Sequence, residues 1–283
     1  MKKKIPQILH RYWRKFLLKF FGIRPNGRSR PILAPATFPK TIWLYWAQGE
    51  DDAPELVKFC MRSWAAMNPD WDLNFVSDAN ASRFVSMAGI PPTLRPAHKS
   101  DVLRVRLLAK YGGVWADATC LCTVPLDRWL PVVMQSGFFA YSRPARDRMI
   151  SSWFLASVPN GMITQRLEEA TTRYWRSRKV AGHYFWLHYL FEWNVIVDYQ
   201  FRQYWRATPH LSADSGHLLQ RHFKGYARAT CKLEESHFAA IPVHKLTWKE
   251  GLKVNDIISY IMDSGLSIDA KRALTSTGND HKS

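Results

Sequence analysis

The chain has 283 residues, 47% of them apolar and 14% aromatic with 13 Trp, which excludes a disordered or fibrous polymer and suits one large domain with tails. Its formal charge of +17 is uneven: residues 1–30 carry ten Lys or Arg and no acid, leaving 30 basic against 23 acidic residues, or +7, beyond them. That distribution excludes a nucleic-acid groove running through the domain and points to a local anionic partner at the N-terminus.

In residues 1–24, Ile8, Leu9, Tyr12, Trp13, Phe16, Leu17, Phe20 and Phe21 recur every three or four positions among Lys and Arg. This predicts an amphipathic helix lying in an anionic membrane interface. Its apolar runs are too short to span a bilayer, and no continuous apolar core of a signal peptide is present. Pro25, Pro31, Pro35 and Pro39 then mark a linker, so residues 1–37 are expected to be a basic leader plus linker. A folded domain is expected over 38–250 and a C-terminal extension over 251–283. The cysteines, Cys60, Cys120, Cys122 and Cys231, form no CxxC pair and suit the core of a reduced cytoplasmic protein.

Within the domain, 41–46 is a β-rich apolar run predicting a buried strand, and 53–67 has helical spacing ended by Asn68 and Pro69. Residues 72–77 read as a second strand and 80–87 as a helix stopped at Gly89. A helix is predicted over 96–111, ended by Gly112 and Gly113, then one extended segment over 114–123. Further strands are expected at 137–142 and 153–157, helices at 162–178 and 183–203, and an extended segment at 238–245. The alternation of strands and helices implies an α/β fold with a mixed, mostly parallel sheet flanked by helices.

The chemistry concentrates between Ser100 and Asp127. Asp101 and Arg104 stand three apart on one helix face, where a carboxylate and a guanidinium can grip sugar hydroxyls or phosphate. The glycine pair lets the backbone pass close to whatever binds at the next strand. Trp115 and Asp117 share a face of that strand, with Thr119 following, so an indole and a carboxylate are offered together to a nucleotide or sugar. Trp46 and Gln48, at the end of the first strand, either frame a nucleotide base or, in the case of Trp46, belong to the core. His188 and Glu192 are one helical turn apart and read either as structure or as a base or metal pair.

The pattern resembles the capsular-polysaccharide-synthesis-type glycosyltransferases, related to glycosyltransferase family 32 and to the sugar-transferring domains of large clostridial toxins. The matching residues are Pro39 to Trp43 with Trp46 to Gly49, His98 to Arg104, Tyr111 to Thr119, Pro125 to Asp127, and more weakly Trp153-Phe154, His188, His217 to Gln220 and Pro242 to Leu246. The resemblance implies a GT-A-type, Rossmann-like fold, a nucleotide-sugar donor and retention of anomeric configuration. It also implies that Asp101 and Arg104 hold the donor sugar, that Trp115 lies by the donor and that Asp117 contacts its ribose or sugar, which makes Asp101, Arg104 and Asp117 the expected catalytic residues; Trp46, Gln48 and Lys245 are read as further donor contacts. Thr119 stands where the wider superfamily has the second acid of an Asp-x-Asp motif. A hydroxyl is a poor ligand for Mn²⁺ or Mg²⁺, so a divalent cation held by Asp117, Thr119 and His244 stays open, as does a purely structural His244.

The expected function is therefore transfer of a sugar to a bacterial capsular or lipopolysaccharide glycan, free or lipid-linked. The expected location is the inner face of the cytoplasmic membrane, reached through residues 1–24. The alternative is a catalytically inactive, membrane-associated protein binding polyanions or nucleotide sugars.

Overall fold

A computed structural model describes residues 38–224, 239–249 and 251–276. The basic leader, most of the linker and Cys231 lie outside the described residues.

A continuous apolar run, buried from Ile42 to Tyr45, makes the first strand, β1 (Thr41–Tyr45), an interior strand of a five-stranded sheet of order β2-β1-β3-β6-β5. β1 runs parallel to β2 (Asp72–Val76) on one side and to β3 (Gly113–Asp117) on the other. A long hairpin, β5 (Phe138–Ala145) and β6 (Arg148–Ser157), extends the sheet antiparallel to β3. The sheet is thus mixed, with a parallel half carrying the N-terminal strands and an antiparallel half built by the hairpin.

The two-residue side-chain period of the strands sends alternate residues into two cores. Ile42, Leu44, Val114, Ala116, Phe154 and Ala156 face α1 (Glu55–Met67) through Val57, Phe59, Cys60 and Trp64. Trp43, Tyr45, Trp115, Phe138 and Leu155 face the opposite layer. After the single helical turn α2 (Ala81–Phe84), that layer is formed by α3 (Pro96–Tyr111), α5 (Met162–Trp175), α6 (Trp186–Val197) and α7 (Tyr199–Ala207). Between them in sequence, α4 (Leu130–Val133) packs in the α1 layer through Leu130 and Val133.

Four expectations change. The helix expected over 80–87 stops after α2, because Arg106 captures the carbonyl oxygens of Ser86 and Ala88 and Val85 is extended at φ −139°. The segment expected as one strand over 114–123 breaks after Asp117. Its second part, β4 (Cys120–Cys122), leaves the main sheet and pairs antiparallel with β7 (Val243–Lys245). The helix expected over 183–203 divides at Asp198, whose carboxylate caps α7 by accepting from the Phe201 N–H at 3.0 Å. In the segment expected as extended over 238–245, only β7 is strand, and Phe238 lies outside the described residues.

Two short helices, α8 (Ala213–Gly216) and α9 (Leu218–Phe223), precede β7. Beyond it, α10 (Val254–Asp263) and α11 (Ile268–Ser276) pack on α1, and Ile257, Ile261 and Leu274 join the same core as Trp64. Residues 254–276 of the expected extension therefore pack on the domain. Cys60, Cys120 and Cys122 are free and buried, and burial pushes the Cys60 and Cys122 thiols up to about 12.

Candidate active site

Register brings the site together. Tyr45 lies beside Asp117, so the C-terminal ends of β1 and β3 open at the same edge of the sheet, the edge at which open α/β sheets take ligands. α3 starts with Pro96 at its first turn and is stopped by Gly112, at φ +68°; Gly113, at φ +88°, then begins β3. The tight reversal lays the middle of α3 against the end of β3.

Arg104 is the centre of the arrangement. Its side chain is 4% exposed, and its guanidinium lies 3.3 Å from the Asp101 carboxylate and 3.2 Å from that of Asp117. It donates to the Ser152 carbonyl oxygen at 2.6 Å, to the Ser100 carbonyl oxygen at 3.1 Å and to the Ser100 hydroxyl at 2.7 Å. It also lies over the Trp115 ring, 5.1 Å from the centroid. Five partners fix one guanidinium, so it acts as a positioned charge and not a mobile one.

Asp117 is the open member, with 26% of its side chain exposed. The Trp115 indole N–H donates to its Oδ1 at 3.1 Å, and Lys245 Nζ lies 3.3 Å from its Oδ2. Burial opposes its charge, but Arg104, Lys245 and the indole N–H together hold the carboxyl below its usual range. Lys245 is likewise opposed by burial, yet Asp117 holds its pKa above the usual value. Asp101 behaves differently: burial dominates over Arg104, and its pKa is pushed up to about 7.

The Thr119 hydroxyl accepts a hydrogen bond from Lys245 Nζ, and the Leu246 N–H donates to the Thr119 carbonyl oxygen at 2.9 Å. The ammonium of Lys245 thus sits between Asp117 and Thr119, where a cation site would need those oxygens. His244 follows the strand alternation onto the face opposite Lys245 and is fully buried. Among the described residues no three His, Cys, Asp or Glu side chains come together as a metal site. Asp117, Thr119 and His244 as arranged do not fit a divalent cation.

Trp46 is half-buried at the same sheet edge and meets Trp248 edge-on, with centroids 5.7 Å apart, while Gln48 is exposed. Trp248 is 43% exposed and lies three residues beyond Lys245, a site-edge aromatic that the sequence did not single out. His188 and Glu192 are both buried in the α6 layer; burial, with Arg148 and Arg104 nearby, pushes the imidazole down to about 3. His188 packs edge-on against Phe185 at 5.5 Å, in keeping with a structural imidazole. The Ser152 carbonyl anchor was also invisible in the sequence, because it is a backbone group brought in by β6.

Residues 1–263 match the family described as capsular polysaccharide synthesis protein. The chain belongs to this family. Among curated relatives, an O-glycosyltransferase, braB, of Annulohypoxylon truncatum is 26% identical over 47% of the chain and 37% of its own length. A probable glycosyltransferase, FCK3, of Fusarium pseudograminearum is 24% identical over 51% of the chain and 41% of its own length. The initiation-specific alpha-1,6-mannosyltransferase of Saccharomyces cerevisiae is 27% identical over 35% and 23%, so the matched stretch is less than half of each of these relatives. A solved structure named PaToxG glycosyltransferase aligns over 71% of the chain and 87% of that chain, at 17% identity and a TM-score of 0.41.

Proposed function

We propose that this chain is a glycosyltransferase that moves a sugar from a nucleotide-sugar donor to a hydroxyl of a growing bacterial surface glycan, with retention at the anomeric carbon. The observation that carries the reading is the cluster of Arg104 and Lys245 flanking the partly open Asp117 at the sheet edge. Family membership and the names of the relatives point the same way.

In the proposed step the bond from the anomeric carbon to the diphosphate oxygen breaks, and its electron pair stays on the diphosphate. The acceptor hydroxyl oxygen forms the new bond on the same side and gives its proton to the departing phosphate oxygen. Arg104 and Lys245 stabilise the charge that develops on the leaving group, the task of preorganised cations in such transfers. Asp117 orients the donor and keeps both cations in place, and Asp101, near neutral by virtue of its burial, offers a hydroxyl donor or an acceptor to the sugar. Trp46 and Trp248 offer aromatic faces and edges for the base.

Asp117→Asn keeps the shape and removes the charge. Donor hydrolysis, measured by nucleotide release across UDP-, GDP- and CMP-sugars, is expected to fall by about 10²–10³-fold with the far-UV circular dichroism unchanged. Retained turnover would falsify the site. Repeating the wild-type assay with EDTA addresses the cation, which would have to displace Lys245 from Asp117 and Thr119.

The proposed location is the inner face of the cytoplasmic membrane, with residues 1–24 contacting anionic lipid and a lipid-linked glycan as acceptor; no nucleic acid is involved. Among the described residues no helix is long and apolar enough to cross a membrane. Removing residues 2–24 is expected to move the protein from the membrane pellet to the supernatant. An unchanged pellet fraction counts against the proposal.

A further inference from the structure

A second binding feature lies behind the β7 edge. A cavity of about 430 Å³ opens between α9 and the segment leaving β7, lined by Gln220, Phe223, Lys224, Thr247, Leu252 and Asp256, with Gly251 at its rim. We infer that this cavity receives the saccharide acceptor, an inference that rests on the glycosyltransferase reading above.

Three observations support it. First, the cavity shares a wall with the charged cluster. Lys245 points to Asp117, Thr247 lines the cavity, and Trp248 reaches Trp46, so four consecutive residues, 245–248, serve both sites. Second, the wall is tied to the cavity. With its amide oriented to satisfy both neighbours, Gln220 donates to the Lys245 carbonyl oxygen at 3.0 Å and accepts from Lys224 Nζ at 3.0 Å. Occupancy of the cavity therefore bears on the backbone that places the Lys245 ammonium.

Third, the lining has the chemistry of a neutral sugar and not of a diphosphate. Phe223 and Leu252 offer apolar surface for the C–H faces of a pyranose, and Phe223 is held by Tyr260 at 5.9 Å. Around them stand one amide, one hydroxyl, one ammonium and one carboxylate, Gln220, Thr247, Lys224 and Asp256, so the described lining carries no net charge. A nucleotide diphosphate would be drawn instead to Arg104 and Lys245. The volume lies within the range of small-molecule sites and exceeds what one hexose fills.

The test uses saturation-transfer difference NMR on the full chain with methyl α-mannoside, methyl β-glucoside and methyl β-N-acetylglucosaminide as probes. At least one glycoside is expected to receive saturation and to keep it when UDP or GDP is added in excess. Phe223→Ala and Asp256→Ala are expected to cut that signal by roughly tenfold, since each removes one side of the lining. Asp256 is exposed, so its replacement leaves the fold intact even if that of Phe223 does not. The inference is overturned if no glycoside binds, if nucleotide displaces it, or if Asp256→Ala binds as the wild type does. Donor hydrolysis on the same samples keeps the two ideas apart. Cavity variants are expected to retain it; undiminished hydrolysis in Asp117→Asn would sink the assigned donor site and not the cavity, and no hydrolysis by the wild type would sink the glycosyltransferase reading itself.

Discussion

Replacing Arg104 by Met is expected to cost about 3–5 kcal/mol of stability at pH 8, because it leaves carboxylates that lost their buried cation. Asp101 and Asp117 both lie within salt-bridge distance of the guanidinium, and Asp101 is 9% exposed at its side chain. Met fills much the same volume, so the loss reports charge and hydrogen bonding more than packing. The pH dependence separates these causes. Because the folded-state pKa of Asp101 is raised to about 7, its ionisation already costs the wild-type fold stability as pH climbs from about 4 to about 7. Without Arg104 that carboxyl rises further, and the charged form of Asp117 loses the strongest of the cations that favour it. The deficit of Arg104→Met should therefore be largest at alkaline pH and shrink steadily toward pH 5, as thermal denaturation across that range would reveal. A deficit independent of pH would assign the contribution of Arg104 to packing and to its hydrogen bonds with Ser100 and Ser152, and not to the two carboxylates.

Gly113→Ala is expected to be the most damaging single-methyl addition in the sheet. At φ +88° the residue sits where side chains are strained, and a Cβ would run into the carbonyl oxygen of Thr41 on the neighbouring strand. Neither atom is the end of a flexible side chain, so the clash is relieved only by separating β1 from β3. That separation would also move Tyr45 away from Asp117. The expected loss is at least about 3 kcal/mol, enough to leave little soluble, folded protein. Gly112→Ala faces Pro159 N at 2.6 Å and should behave alike, whereas Gly251→Ala meets nothing within 4 Å and should cost only its φ strain. Soluble yield and urea midpoints of the three variants would rank them; equal midpoints would refute the steric account.

Local pattern made part of this architecture legible. β1, α1 and α3 announce themselves by apolar period and by Asn68-Pro69 or the glycine pair, and each forms where expected. Asp101, Arg104, Trp115 and Asp117 are adjacent in sequence within one helix–turn–strand unit, so their convergence could be read directly. What was hidden depends on distant partners. α2 is short because Arg106, on another helix, takes the carbonyls of Ser86 and Ala88 just beyond its end, and β4 departs from β3 because its partner is β7, more than a hundred residues away. Lys245 could be named as a phosphate contact, but its grip on the Thr119 hydroxyl turns a suspected metal ligand into an ammonium acceptor. The aromatic pairing of Trp46 with Trp248 is equally non-local.

The β4–β7 pairing has a consequence for the order in which the protein becomes competent. Two three-residue strands close a loop that includes the hairpin and the whole α5–α7 layer, a contact of high sequence separation that ordinarily forms late. During synthesis, Arg104 and Asp117 emerge and can pack long before Lys245 leaves the ribosome. A nascent chain at that stage holds the carboxylates and one cation, but not the second. Charge balance around Asp117 is thus completed only by the last tenth or so of the matched region, when β7 joins β4.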